Sequence, residues 1–175
     1  MKSTLSPSTL SVVFNALSFQ CIWWLGVLYQ NQFIIISILL VLLHFVVSKN
    51  RKRDFWVVLA VSSLGIFVDI CLIYFGVFEF SISPWWLALL WIFFALTLNS
   101  SLAFAHKLHL PLQVILGGVS GSLSYLAGAN FGAVVLPFGT VYSACILVVI
   151  WCVLFPVSMT IAARLKSSLT IPNHV

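Results

Sequence analysis

The chain has 175 residues, of which 62% are hydrophobic and 6% charged, and its formal net charge is +5. A soluble domain carries about a quarter charged residues, so this composition excludes a surface made for water. Six membrane spans of about 20 residues each would use nearly the whole length, which leaves no room for a separate soluble catalytic or nucleic-acid-binding domain.

Lys2 opens a short tail, and the first apolar run predicts a helix over 10–29. It carries Asn15 and Gln20 and ends in Trp23-Trp24-Leu25-Gly26 with no small-x-small cleavage site, so it reads as a retained helix rather than a signal peptide. The uncharged turn Tyr29-Gln30-Asn31-Gln32 leads to a second helix over 33–48. Lys49-Asn50-Arg51-Lys52-Arg53-Asp54 is the densest charge cluster, and Asp54 reads there as a solvated loop charge. A third helix is predicted over 55–77, followed by a polar return through Glu79 to Pro84. Pro84 suits the first turn of a fourth helix, predicted over 84–105, because its missing N–H has no intrahelical partner to lose. His106-Lys107-Leu108-His109 is a short loop before a fifth helix over 111–129. A Gly- and Pro-containing segment, 130–140, reads as a loop that re-enters the membrane in part, and a sixth helix follows over 141–163 with Pro156 as a kink. The tail 166–175 reads as disordered.

All eight basic residues fall in the N-terminal tail, the second and fourth loops and the C-terminal tail. The positive-inside rule then gives an all-α, polytopic membrane protein of six transmembrane helices with both termini in the cytoplasm, as one integral domain. The net positive charge follows from this bias and points to no nucleic acid. Trp23, Trp24, Trp85 and Trp86 fall near the outer boundary, where tryptophans anchor helices. The two three-helix halves differ in their polar residues, and no inverted repeat is evident.

Asp69 stands alone in an apolar run. An ionised carboxylate at that depth costs roughly 3 kcal/mol or more, so it faces the bundle, finds a partner or stays protonated. Ser62, Gly65, Asp69 and Gly76 form a small, polar stripe at helical spacing. Such a stripe lets helices approach closely, or leaves space for a ligand beside the acid. The partners available to Asp69 are Asn15, Gln20 and Asn99, which either lock helices together or line one polar pocket with it. Gly65, Gly117, Gly121 and Gly128 read as helix-packing positions. Gly118-Val119-Ser120-Gly121 resembles the G-x-S-G of rhomboid proteases, but the sixth helix lacks the histidine that would activate Ser120. The four cysteines lie in spans without a CxxC or Cys/His cluster, so neither metal nor cofactor is expected.

Asn15-x4-Gln20-x2-Trp23, Gly65-x3-Asp69, Pro84-Trp85-Trp86-Leu87-x2-Leu90-Trp91 and Gly117-Gly118-x2-Gly121-x3-Tyr125-x2-Gly128 resemble a family of small proteobacterial inner-membrane proteins of unknown function. The resemblance covers about 10–135 and carries no activity with it. It implies a bacterial inner-membrane location and, through companionship with membrane-lipid modification, a lipid-linked role. Two function classes stand open. One is a protein that binds or translocates a small or lipid-like molecule at a pocket around Asp69, with Asp69 as hydrogen-bond donor or proton site. The other is a non-catalytic accessory subunit of a membrane system, in contact with membrane lipids and a membrane protein partner. Intramembrane proteolysis is the remote third.

Overall fold

The structure is a computed structural model and describes residues 9–168. Its helices are α1 (Thr9–Tyr29), α2 (Ile34–Val47), α3 (Arg51–Tyr74), α4 (Trp85–Thr97), α5 (Leu110–Asn130) and α6 (Thr140–Ser168), with a short 3-10 helix at Ala103–Lys107. Four of these, α1, α3, α5 and α6, are long and apolar enough to cross a membrane. The other two, α2 and α4, have 14 and 13 residues, short of the roughly 20 that a span uses. Lys2 and residues 169–175 lie outside the described residues. Lys166–Ser168, expected as tail, instead continue α6, which is helical on both sides of Pro156.

Helix α4 stops eight residues before its predicted end, and side chains from its neighbours take up the freed backbone groups. Asn15 of α1 donates to the Leu96 carbonyl at 3.5 Å and accepts from the Ser101 backbone N–H and hydroxyl at 3.3 and 2.7 Å. His106 donates from Nε2 to the Leu98 carbonyl at 3.1 Å, and Gln113 donates to the Ala105 and Leu108 carbonyls. Buried backbone groups need partners, and here the polar residues of α1, α5 and the 3-10 turn supply them. Asn99-Ser100-Ser101 is the polar interruption in the sequence at this break.

His106 sits among these bonds. Burial pushes its imidazole below the ordinary value of 6.5, the nearby Lys166 pushes the same way, and the Leu98 bond opposes both. The unfolded chain therefore binds this proton at a higher pH than the folded one. The contribution is complete above 6.5 and is lost as pH falls through the folded value. Between about pH 7.5 and 5 the wild type is expected to lose more thermal stability in detergent than His106→Gln does; equal pH slopes would refute it.

The loops gather at two ends. At one end the Asn31 amide donates to the Ser83 carbonyl at 2.8 Å and accepts from the Trp86 N–H at 3.1 Å, joining the α1–α2 and α3–α4 turns. Glu79 and Val135 exchange backbone bonds of 3.0 and 2.9 Å as an antiparallel bridge, joining the α3–α4 and α5–α6 loops. The opposite end carries seven of the eight Lys and Arg residues, Lys2 being the eighth. There Asp54, expected as a solvated charge, is only 6% exposed. Because α3 begins at Arg51, four residues earlier than predicted, Asp54 lies in its first turn, where a negative charge suits the helix dipole. It accepts from Ser48 at 2.5 Å and from Arg53 at 2.7 and 3.0 Å, with His44 at 3.4 Å.

The hairpins α3–α4 and α5–α6 repeat one another. Gly65, Asp69, Gly76 and Glu79 of the first correspond to Gly121, Tyr125, Gly132 and Val135 of the second, each pair 56 positions apart. Gly76 and Gly132 both follow the helix end at φ 72° and 77°, the left-handed conformation that closes a helix and favours glycine. The bridged residues Glu79 and Val135 are themselves an equivalent pair. Trp91 of α4 and Trp151 of α6 stack with ring centroids 5.4 Å apart and planes 7° from parallel. A Cβ on Gly65 would overlap the Trp91 ring, and one on Gly121 would overlap the Trp151 ring. Both hairpins run in the same direction, so this is a parallel repeat whose axis follows the helices rather than an inverted one.

Candidate functional site

A cleft with about 550 Å³ of empty space, mouth included, opens between α1, α4 and α5 near the loops that carry no lysine or arginine. Eight of its fourteen lining residues are aromatic, against 15% of the chain, so it is no average sample of the apolar surface. Phe19 and Trp23 come from α1, Trp86, Trp91 and Phe94 from α4, Tyr125 from α5 and Trp151 from α6. Space is left on α5 because Ser124 and Gly128 are small where they face α1. Trp23 donates from Nε1 to the Ser124 hydroxyl at 2.8 Å, which ties its polar edge to α5.

Asp69 lies behind this wall rather than in it. Trp91 donates from Nε1 to Oδ2 at 2.5 Å, and the Tyr125 hydroxyl donates to Oδ1 at 2.7 Å. Asp69 is 5% exposed, and Tyr125 is further fixed by stacking on Phe78 at 5.1 Å. The carboxyl group thus clamps one wall residue from each hairpin, α4 and α5, and fixes the geometry of the cleft across the repeat axis. Each oxygen accepts one hydrogen bond from a wall residue.

The four residues predicted to converge occupy three settings. Asp69 holds Trp91 and Tyr125, while Asn15 is 2% exposed and caps the break after α4. Gln20 is exposed on the outer face of α1, and the Asn99 amide is buried beside the α4 break with no partner among the described residues. Among the packing glycines, Gly65 meets Trp91, Gly117 and Gly121 meet Phe155 and Trp151, and Gly128 lines the cleft with Val27 beyond it. Ser120 is exposed and donates to the Leu116 carbonyl of its own helix. No three of His, Cys, Asp and Glu come together as metal ligands among the described residues.

The sequence reading passed over Trp91 and Tyr125 as site residues. The available signal was chemical: a Trp N–H and a Tyr O–H in an apolar span need acceptors, and Asp69 is the acid within reach.

The repeat supplies an internal comparison. A second groove, between α3 and α6, is lined by Val68, Cys71, Leu72, Phe75, Val77, Ile146 and Ile150. Val68 and Leu72 are the equivalents of Ser124 and Gly128, and Ile146 and Ile150 stand 60 positions after Trp86 and Leu90, as Trp151 does after Trp91. One groove is mainly aliphatic, with Phe75 its single aromatic residue, and its counterpart is mainly aromatic.

Apolar helices of spanning length around a shielded polar contact define a helical membrane protein. A family model matches residues 12–157, and the chain belongs to that family, described as a protein of unknown function (DUF2878). No curated protein and no solved structure matches the chain.

Proposed function

We propose that this protein crosses a bacterial inner membrane six times, with both ends on the basic, cytoplasmic side, and that it binds or carries a small or lipid-like molecule in the aromatic cleft. The single observation behind this reading is the clamp: Trp91 and Tyr125 both form the cleft wall, and both end on Asp69, an acid buried within the apolar part of α3. Burial of a carboxyl group in hydrocarbon is costly and marks function by default. The hairpin repeat supports the carrier form, since parallel-repeat carriers place their sites where the repeats meet.

Gly128→Leu tests the cleft without touching the clamp. A Cβ there meets only Val27, at an ordinary 3.9 Å, so a larger side chain grows into the empty space. The variant is expected to fold and to lose a discrete molecule that co-purifies with the gently extracted wild type, read by mass spectrometry. Bulk phospholipid alone with both proteins would end the ligand reading.

The accessory-subunit reading draws on Gln20, exposed at the middle of α1 with no hydrogen-bond partner among the described residues. Amides on lipid-facing helix surfaces find partners on other helices, and a partner's membrane helix against α1 would supply one.

A further inference from the structure

We propose that the cleft takes a weakly hydrated organic cation, a quaternary or tertiary ammonium group seated between aromatic faces, with Asp69 as the counter-charge behind them. The proposal rests on reading the cleft as a ligand site and names the chemistry of its ligand.

The repeat argues first. The equivalent groove between α3 and α6 shows what this fold places against hydrocarbon, namely Val68, Leu72, Val77, Ile146 and Ile150 with a single aromatic residue, Phe75. An acyl chain is served by such a surface. The cleft instead presents tryptophan, phenylalanine and tyrosine rings, whose negative faces attract cations and select quaternary ammonium groups in aromatic cages.

Hydrogen bonding argues second. The polar edges of Trp23, Trp91 and Tyr125 are already committed to Ser124 and Asp69. Those three residues therefore offer a ligand ring face, which suits a cation that carries no strong hydrogen-bonding demand, while the indole N–H groups of Trp86 and Trp151 have no hydrogen-bond partner among the described residues. Donation of the Trp91 N–H and the Tyr125 O–H to Asp69 also enriches those two rings in electron density.

Charge placement argues third. No lysine or arginine lines the cleft, and the seven described basic residues lie at the other end of the bundle. Two of the three acids belong to the cleft end: Asp69 behind the wall and Glu79 next in sequence to the lining residue Phe80. A cation entering from this end, whose loops carry no lysine or arginine, meets no like charge on its way.

The same ammonium chemistry occurs in free small molecules and in lipid headgroups. The test is equilibrium binding of labelled benzyltrimethylammonium to the detergent-solubilised full chain, beside its uncharged carbon isostere, neopentylbenzene. The cation is expected to bind at least about tenfold more tightly than the isostere, the scale of a desolvated cation–π contact. Trp86→Ile, which installs the residue type of the equivalent groove, is expected to remove most of that preference while isostere binding persists. Asp69→Asn is expected to weaken the cation and spare the isostere. Competition by phosphatidylcholine nanodiscs but not phosphatidylglycerol nanodiscs would assign the headgroup as source, and competition by neither would assign a free cation. Equal binding of cation and isostere to wild type overturns the cation and leaves the ligand site standing; binding of neither overturns both.

Discussion

Asp69→Leu is expected to destabilise the protein by about 2–4 kcal/mol, because it strands two buried donors at once. The Trp91 N–H and the Tyr125 O–H both donate to this carboxyl group. Neither ring can turn away: Trp91 lies against Gly65 and Trp151, and Tyr125 is stacked on Phe78. Leucine also relieves the cost of burying a carboxyl group, which opposes the loss. The stranded donors win because each unpaired buried group costs roughly 1–3 kcal/mol. Asp69→Asn keeps one acceptor oxygen and is expected to lose about half as much. The decisive measurement is the thermal midpoint in detergent of Asp69→Leu alone and combined with Trp91→Phe and Tyr125→Phe. Removing the donors together with the acceptor should recover most of the stability. If the triple variant is no more stable than Asp69→Leu, the two hydrogen bonds are not the reason for the loss.

Gly121→Val is expected to be as damaging, by a different route. The Cβ position on Gly121 is already occupied by the Trp151 indole, as that on Gly65 is occupied by Trp91. Overpacking of this kind costs about 1–3 kcal/mol where the core can shift, and more where it cannot. Here it has little freedom, since each indole has a glycine on one side and the other indole beside it. The pair should therefore couple: Gly65→Val with Gly121→Val is expected to depart from the sum of the single effects, because both push on one stack. Strict additivity in chemical or thermal unfolding would mean that the two glycines are packed independently.

The sequence carried the membrane class and the helix order because hydropathy and the lysine and arginine pattern are local signals. Asp69 was legible as the exceptional residue for the same reason. Its partners were not. Trp91 and Tyr125 lie 22 and 56 positions away, and a search restricted to amides overlooked the two aromatic residues that carry polar atoms. The break after Thr97 was illegible because the groups that satisfy it come from other helices, above all Asn15. The hairpin repeat escaped because few aligned residues are identical, Gly65 with Gly121 and Gly76 with Gly132 among them. What repeats is the geometry, a glycine under an indole and a left-handed glycine at the helix end. Asp54 was misread because its burial depends on where α3 begins, and helix starts are the least certain part of a pattern reading.

The stacked pair Trp91 and Trp151 gives the molecule an optical property of its own. Two indoles held 5.4 Å apart and 7° from parallel lie close enough for their electronic transitions to couple. Both are also walls of the cleft. Circular dichroism in the indole bands should therefore carry a coupled signal from this one pair, separable from the other five tryptophans by Trp151→Phe. Anything that spreads, tilts or slides one hairpin against the other changes that signal directly. The fold thus has a built-in optical gauge of the angle between its two halves, readable in a bilayer without any label.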